Sequence, residues 1–236
     1  MSCLKKILIT AGPTREMLDP VRFLTNLSTG EMGYTLARRA ISKGYQVSLV
    51  SGPTDLRPPQ GVKFYPVVSA MQMKTVCEEL FPEHDGLIMT AAVCDFMPTR
   101  MNRQKIRSAG GLALKLRRTP DILASLAKRK GPRTVIGFCL ETQDLVRRAT
   151  EKMKKKKLNG IVANFYDLRR HIPFGKRRVK VCFISADGHV RKLSKRSKAQ
   201  VAEMLLGWMN RLHGDFAQAT QKTILQNRKT TIMSGV

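Results

Sequence analysis

The stretch ILITAGPTRE, residues 7–16, decides the fold. A short apolar run from Ile7 to Ala11 stops abruptly at Gly12 and Pro13, residues that punctuate a turn. A strand this continuously apolar suits a parallel sheet covered by helices on both faces. Doubly wound α/β proteins bind ligands beyond the carboxyl ends of such strands, which makes Gly12 the first candidate site residue. The turn is not a G-x-G-x-x-G fingerprint, and no G-x-x-x-x-G-K-[ST] phosphate loop occurs in the chain. The turn therefore locates a site without naming its ligand.

Working outward, apolar runs alternate with amphipathic ones. Strands are expected at 6–10, 46–51, 63–68, 86–91, 134–138 and 160–163, and helices at 30–42, 70–80, 120–130 and 145–157. This rhythm predicts an α/β protein with a Rossmann-like, doubly wound, mainly parallel sheet. Two runs, 176–184 and 189–193, flank Ala186-Asp187-Gly188 and predict a small antiparallel extension. Residues 97–116 hold a polar stretch, Gly110-Gly111, and then the alternating leucines Leu112, Leu114 and Leu116, as a loop feeding a half-exposed strand would. A last helix, 198–212, carries Val201, Leu205, Trp208, Met209 and Leu212 at core spacing. One domain is expected over 1–213, followed by a disordered tail at 214–236.

The chain has 236 residues, enough for a sizeable core. No apolar run approaches the roughly 20 residues that span a bilayer, and the N-terminus lacks a signal-peptide pattern, so a cytoplasmic protein is expected. In that compartment the sequon Asn26-Leu27-Ser28 has no chemistry. Five scattered cysteines (Cys3, Cys77, Cys94, Cys139, Cys182) form no C-x-x-C pair and read as reduced thiols. The four histidines lack metal-ligand spacing, and no protein-ligated metal is expected. Lys and Arg number 43 against 17 acids, a formal charge of +26. Without aromatic interleaving that charge suits anionic small molecules as well as nucleic acid.

Several short motifs carry candidate chemistry. Ser28, Thr29 and Gly30 precede the helix beginning near Glu31, where hydroxyls cap and bare N–H groups bind anions. One hydroxyl suffices for a cap, which leaves Asn26 and Gly33 unexplained. TAAVCDFMP, residues 90–98, ends a buried strand with small residues and then Asp95, suited to a ribose, an amino group, a magnesium ion or merely a turn. QKIRS, residues 104–108, places Lys105 and Arg107 in a polar loop. In TPDIL, Thr119 is the expected N-cap, with Pro120 at the first helical position and Asp121 in the first turn. Lys152 and Lys156 share a helix face at i and i+4, a solvated pair or a polyphosphate clamp.

These blocks, in this order, resemble the phosphopantothenoylcysteine synthetase (phosphopantothenate–cysteine ligase) family. The matching text is ILITAGPTRE, DPVRFLTNLSTGEMGYTLA, VSLVSGPT, TAAVCDF, the lysine of QKIRS, TPDIL, IGFCLETQDL and IVAN, and it spans residues 5–165. The resemblance implies a coenzyme A biosynthetic ligase that joins 4′-phosphopantothenate to cysteine, with CTP as co-substrate and Mg²⁺, through an acyl-CMP intermediate. It implies that Asn26 handles the acyl-nucleotide and that Lys105 meets the reacting phosphate. Ser28, Thr29 and Gly30 would line the phosphopantothenate pocket. Ala92, Asp95, Pro120, Asp121, Ile122, Leu123, Phe138, Lys152 and Lys156 would hold the nucleotide. It further implies a flexible flap at about 106–114, a homodimer paired through about 164–193, and a decarboxylase supplied as a separate protein.

This sequence departs from the family pattern in having Ser28-Thr29 for a serine pair, Ser108 in the lysine-rich flap motif, and basic residues after Phe174. A nicotinamide-dependent reductase would need Tyr-x-x-x-Lys, but Tyr34, Tyr45, Tyr65 and Tyr166 are followed at that spacing by Arg38, Leu49, Ser69 and Arg170. A basic nucleic-acid-binding protein and a catalytically degenerate family member are the remaining alternatives.

Overall fold

The computed structural model describes residues 4–107, 110–167 and 173–233, with side chains described as far as residue 215. In chain order the elements are β1 (Lys6–Ala11), β2 (Arg15–Met17), β3 (Phe23–Thr25), α1 (Glu31–Ser42), β4 (Gln46–Ser51), β5 (Lys63–Pro66), α2 (Ala70–Leu80), β6 (Gly86–Met89), β7 (Phe96–Pro98), β8 (Leu116–Arg118), α3 (Ile122–Lys128), β9 (Thr134–Glu141), α4 (Leu145–Lys156), β10 (Gly160–Phe165), β11 (Val179–Ser185), β12 (Val190–Arg196) and α5 (Lys198–Met233).

Eight strands form one sheet in the order β12-β11-β10-β9-β6-β1-β4-β5. The six from β10 to β5 are mutually parallel. The chain leaves β1 toward β4 and β5, then returns to build β6, β9 and β10 on the other side. That reversal is the switch point of a Rossmann-like sheet. The expected extension is present as β11 and β12, both antiparallel, on the far edge.

Alternation along β1 divides the core. Ile7 and Ile9 face α1 and α5, while Leu8 faces α2, α3 and α4. All three are fully buried, each contributing about 1.5–3 kcal/mol of apolar burial. Helix α2 starts at a capping box in which Ser69 Oγ accepts the Gln72 N–H and Gln72 Oε1 accepts the Ser69 N–H. The expected apolar face of α5 is core: Trp208 stacks on Phe183, ring centroids 5.0 Å apart, and lies against Gly160, where no Cβ would fit.

Several boundaries differ from the sequence reading. Helix α5 was expected to stop at Leu212 and the tail to lack structure, yet the helix runs to Met233. Gly214 does not adopt the left-handed backbone that would terminate it. The leucine alternation at 112–116 does not make a strand of that length: only Leu116 enters β8, and Leu112, Leu114 and Leu116 are exposed. The three-residue ladders β2–β3 and β7–β8 were not expected, being too short to show a period. Cys77, Cys94, Cys139 and Cys182 are free and buried, and burial pushes the Cys77 thiol up to about 12 and Cys139 to about 11. Cys3 lies outside the described residues.

Candidate active site

A crevice of about 630 Å³ opens at the carboxyl ends of β6, β9 and β10, beside the start of α1. This volume suits a small-molecule site. Its geometry begins at Gly12 and Gly30, both left-handed at φ 70° and 78°. A Cβ on Gly12 would stand 2.8 Å from the Gly52 carbonyl oxygen, and one on Gly30 would stand 2.7 Å from Thr54 Cγ2. Only glycine meets both demands. Gly33 is explained by packing: α1 lies so close to β1 that a Cβ there would be 2.5 Å from the Ala11 Cβ.

The start of α1 differs from expectation. Gly30 itself is the N-cap, and no side chain caps the helix. A capping oxygen must belong to the cap residue, so Ser28 and Thr29 are released for other work. Ser28 Oγ accepts the Gly30 N–H at 3.3 Å, and Thr29 Oγ1 accepts the Gly175 N–H at 3.2 Å. The uncapped amides and the positive helix end face the crevice, as suits an anion.

Ala92 is the junction beneath this wall. Its N–H donates to the Gly12 carbonyl at 2.9 Å, and its carbonyl accepts the Thr14 N–H at 3.2 Å. That same carbonyl accepts the Asn26 side-chain amide at 3.0 Å. Asn26 and Gly12 therefore stand behind Ala92 rather than among the lining residues, while Ala92 and exposed Asp95 line the floor.

The opposite wall is the start of α3 facing α4. Here the cap also moves: Asp121, not Thr119, is the N-cap, its Oδ1 accepting the Ala124 N–H at 3.0 Å. Thr119 instead donates its hydroxyl to the Cys94 carbonyl, tying this wall to the floor. Lys156 Nζ donates to Asp121 Oδ1 at 2.8 Å, and Lys152 Nζ donates to the Phe138 carbonyl at 3.2 Å. Burial opposes ionisation of Asp121, but Lys156, the Ala124 N–H and Lys152 outweigh it and hold the carboxyl below its ordinary value. Pro120, Ile122, Leu123 and Phe138 complete this wall.

Lys105, like Gly12 and Asn26, is an expected site residue that does not line the crevice. It is exposed on the arm between β7 and β8. Of the expected flap, residues 108 and 109 lie outside the described residues, and 110–114 are exposed. The expected dimer segment likewise includes 168–172, also outside them.

Sequence reasoning missed Asp19 and Lys198. Fully buried Asp19 accepts the N–H groups of Val21, Arg22 and Ile106, and Arg22 donates to the Ile106 carbonyl, so this pair anchors the residue next to Lys105. Burial opposes the Asp19 charge, but these backbone donors and Arg22 hold its carboxyl low. Lys198 lines the crevice at the first residue of α5. The partners of Asp19 at Ile106, and of Lys198, are backbone groups distant in sequence, which leave no motif. Among the described residues no group of three His, Cys, Asp or Glu side chains gathers to hold a metal.

An open sheet of this order, with glycine turns and paired lysines around a crevice at its switch point, belongs to the Rossmann-like class. Residues 3–212 match the DNA/pantothenate metabolism flavoprotein C-terminal domain, and the chain belongs to that family. It is 43% identical over 205 residues to the coenzyme A biosynthesis bifunctional protein CoaBC of Bacillus subtilis (strain 168), covering 86% of this chain and 50% of that protein. It is 39% identical over 201 residues to a cysteine/cysteine sulfinic acid decarboxylase of an unknown prokaryotic organism, covering 84% of this chain and 56% of that protein. The crystal structure of the C-terminal domain of a coenzyme A biosynthesis bifunctional protein CoaBC superposes with a TM-score of 0.77 at 38% identity, covering 89% of this chain and 96% of that one. The chain thus spans about half the length of the curated relatives it matches. Because those relatives bear different activities in their names, activity must be argued from the site.

Proposed function

We propose that this chain is a phosphopantothenate–cysteine ligase of coenzyme A biosynthesis, working in the cytoplasm with CTP as co-substrate. The observation that carries this reading is the two-walled crevice: an uncapped helix start with two hydroxyls on one side, a lysine-bearing helix pair on the other, and between them a floor at Ala92 that Asn26 braces from behind. Lys152 and Lys156 would meet the nucleotide phosphates, with Asp121, Ile122 and Leu123 at the base and ribose. A magnesium ion would be held chiefly by the nucleotide's own phosphates, with Asp95 the lining carboxylate nearest the floor, and would neutralise phosphate charge there.

In this mechanism the pantothenate carboxylate attacks the α-phosphate, pyrophosphate leaves, and the cysteine amine displaces CMP from the acyl carbon. The protein's work is positioning and charge neutralisation, so no side-chain nucleophile is needed. Lys105 would reach the reacting phosphate from its arm, and Asn26 would hold the acyl-nucleotide for the amine. The active species is proposed to be a homodimer paired through 164–193, and its product would pass to a decarboxylase. The test is pyrophosphate release with 4′-phosphopantothenate and cysteine, CTP compared with ATP. Release requiring the acid, sustained beyond a single turnover only when the amine is also present, and faster with CTP, is expected; no release with any nucleotide sinks the reading.

A further inference from the structure

The crevice straddles the end of the sheet. Ile122, Leu123 and Cys139 belong to the core beneath α3 and α4, whereas Val179 and Val181 belong to the core beneath α1 and α5. The first lobe is the one assigned above to the nucleotide. The second is walled by Thr29, by residues 173–175 and by Asn164, and at its back sits Lys198.

Lys198 is in the wrong place for stability. It is 8% exposed, and it is the first residue of α5, whose positive end repels an ammonium. The helix start is fixed independently by Ser197 and Gln200, whose side chains accept one another's backbone N–H groups. Folding offsets the burial by giving the ammonium carbonyl partners at Pro173 (2.8 Å), Gly175 and Arg177 (3.4 Å), together with the nearby Glu31 carboxylate. One side chain thereby gathers three carbonyls of a single turn. That turn delivers the Gly175 N–H to Thr29 Oγ1 and sets Phe174 against Tyr166 at 5.9 Å between centroids.

We propose that Lys198 is a positioning residue for the second substrate: by gathering the turn 173–177 it fixes the wall that, with Thr29, receives the acid substrate. This rests on the ligase reading, in which that acid is 4′-phosphopantothenate.

Lys198→Met keeps the length and removes the donors, and Lys198→Arg restores them. Expected for K198M is a KM for phosphopantothenate raised by about 10-fold or more, with the nucleotide KM within about 2-fold, and recovery in K198R. In the free protein, exchange of the Gly175 amide, which Thr29 Oγ1 accepts, should accelerate by about 10-fold in K198M while that of α3 and α4 stays unchanged. Should K198M not fold, Lys198→Gln, which removes the charge and keeps only an amide NH₂, is read the same way. Equal rises in both KM values, or unchanged exchange of the Gly175 amide, overturns the proposal. If the wild type releases no pyrophosphate the ligase reading fails, and the exchange experiment still decides whether Lys198 organises this wall.

Discussion

The lysines at the crevice and on the neighbouring arm are held in opposite ways. Lys152 and Lys156 stand on a twelve-residue helix and are tethered at rest, one to the Phe138 carbonyl and one to Asp121. Lys105 is exposed on an arm whose anchor is the hydrogen bonding of its neighbour Ile106 to Asp19 and Arg22. Groups fixed before binding lower the cost of holding a ligand. A group that must arrive contributes only when the reacting geometry is reached. On the ligase reading, the difference separates binding from turnover.

The largest effect is expected behind the crevice floor. Asn26→Asp removes the donor to the Ala92 carbonyl and sets a carboxylate against it. Product formation should fall by about 10²-fold or more while acyl-nucleotide accumulates, as seen by chromatography of quenched reactions. Unchanged product formation removes Asn26 from the mechanism. Next, Lys105→Ala should lower kcat by about 10²-fold and leave the nucleotide KM near wild type. Lys156→Ala should do the reverse, raising the nucleotide KM by about 10-fold with a smaller change in kcat. If both variants moved the same constant, the contrast would be lost.

Smaller effects test the scaffold beneath. Gly30→Ala forces a left-handed backbone and a Cβ close to Thr54, and should lower thermal stability by about 1–3 kcal/mol in a melting experiment. The smallest concerns Asp121. Its folded-state pKa lies below the ordinary 3.8, so its ionisation stabilises the fold above that value. The contribution is lost as pH falls through the lowered value. Titration of the Asp121 carboxyl by NMR should give a midpoint below 3.8 that returns toward it in Lys156→Ala, with nucleotide binding flat near neutral pH.

Where local pattern and tertiary packing agree, the fold was legible. The run 46–51 and the helix 70–80 were read to the residue because their apolar periodicity coincides with burial. Caps were read less well: Ser28 and Thr29 look like capping residues, and a left-handed glycine displaced them; Thr119 looks like one, and its hydroxyl went to Cys94 instead. The site residues cluster because the strand ends converge, which the strand–turn rhythm encodes. Asp19 and Lys198 were invisible because much of their chemistry depends on carbonyls and amides brought from far along the chain, and backbone groups are the same in every sequence. The basic runs at 176–178 and 191–196 remain exposed, apart from Leu193, and nothing in the fold explains so high a charge.

The missing side-chain cap on α1 has a consequence for stability as well as for binding. An anion resting on its first amides would supply what no side chain supplies there, and binding and helix stability would then be thermodynamically linked. On the ligase reading that anion is the substrate, and the melting temperature should climb with its concentration.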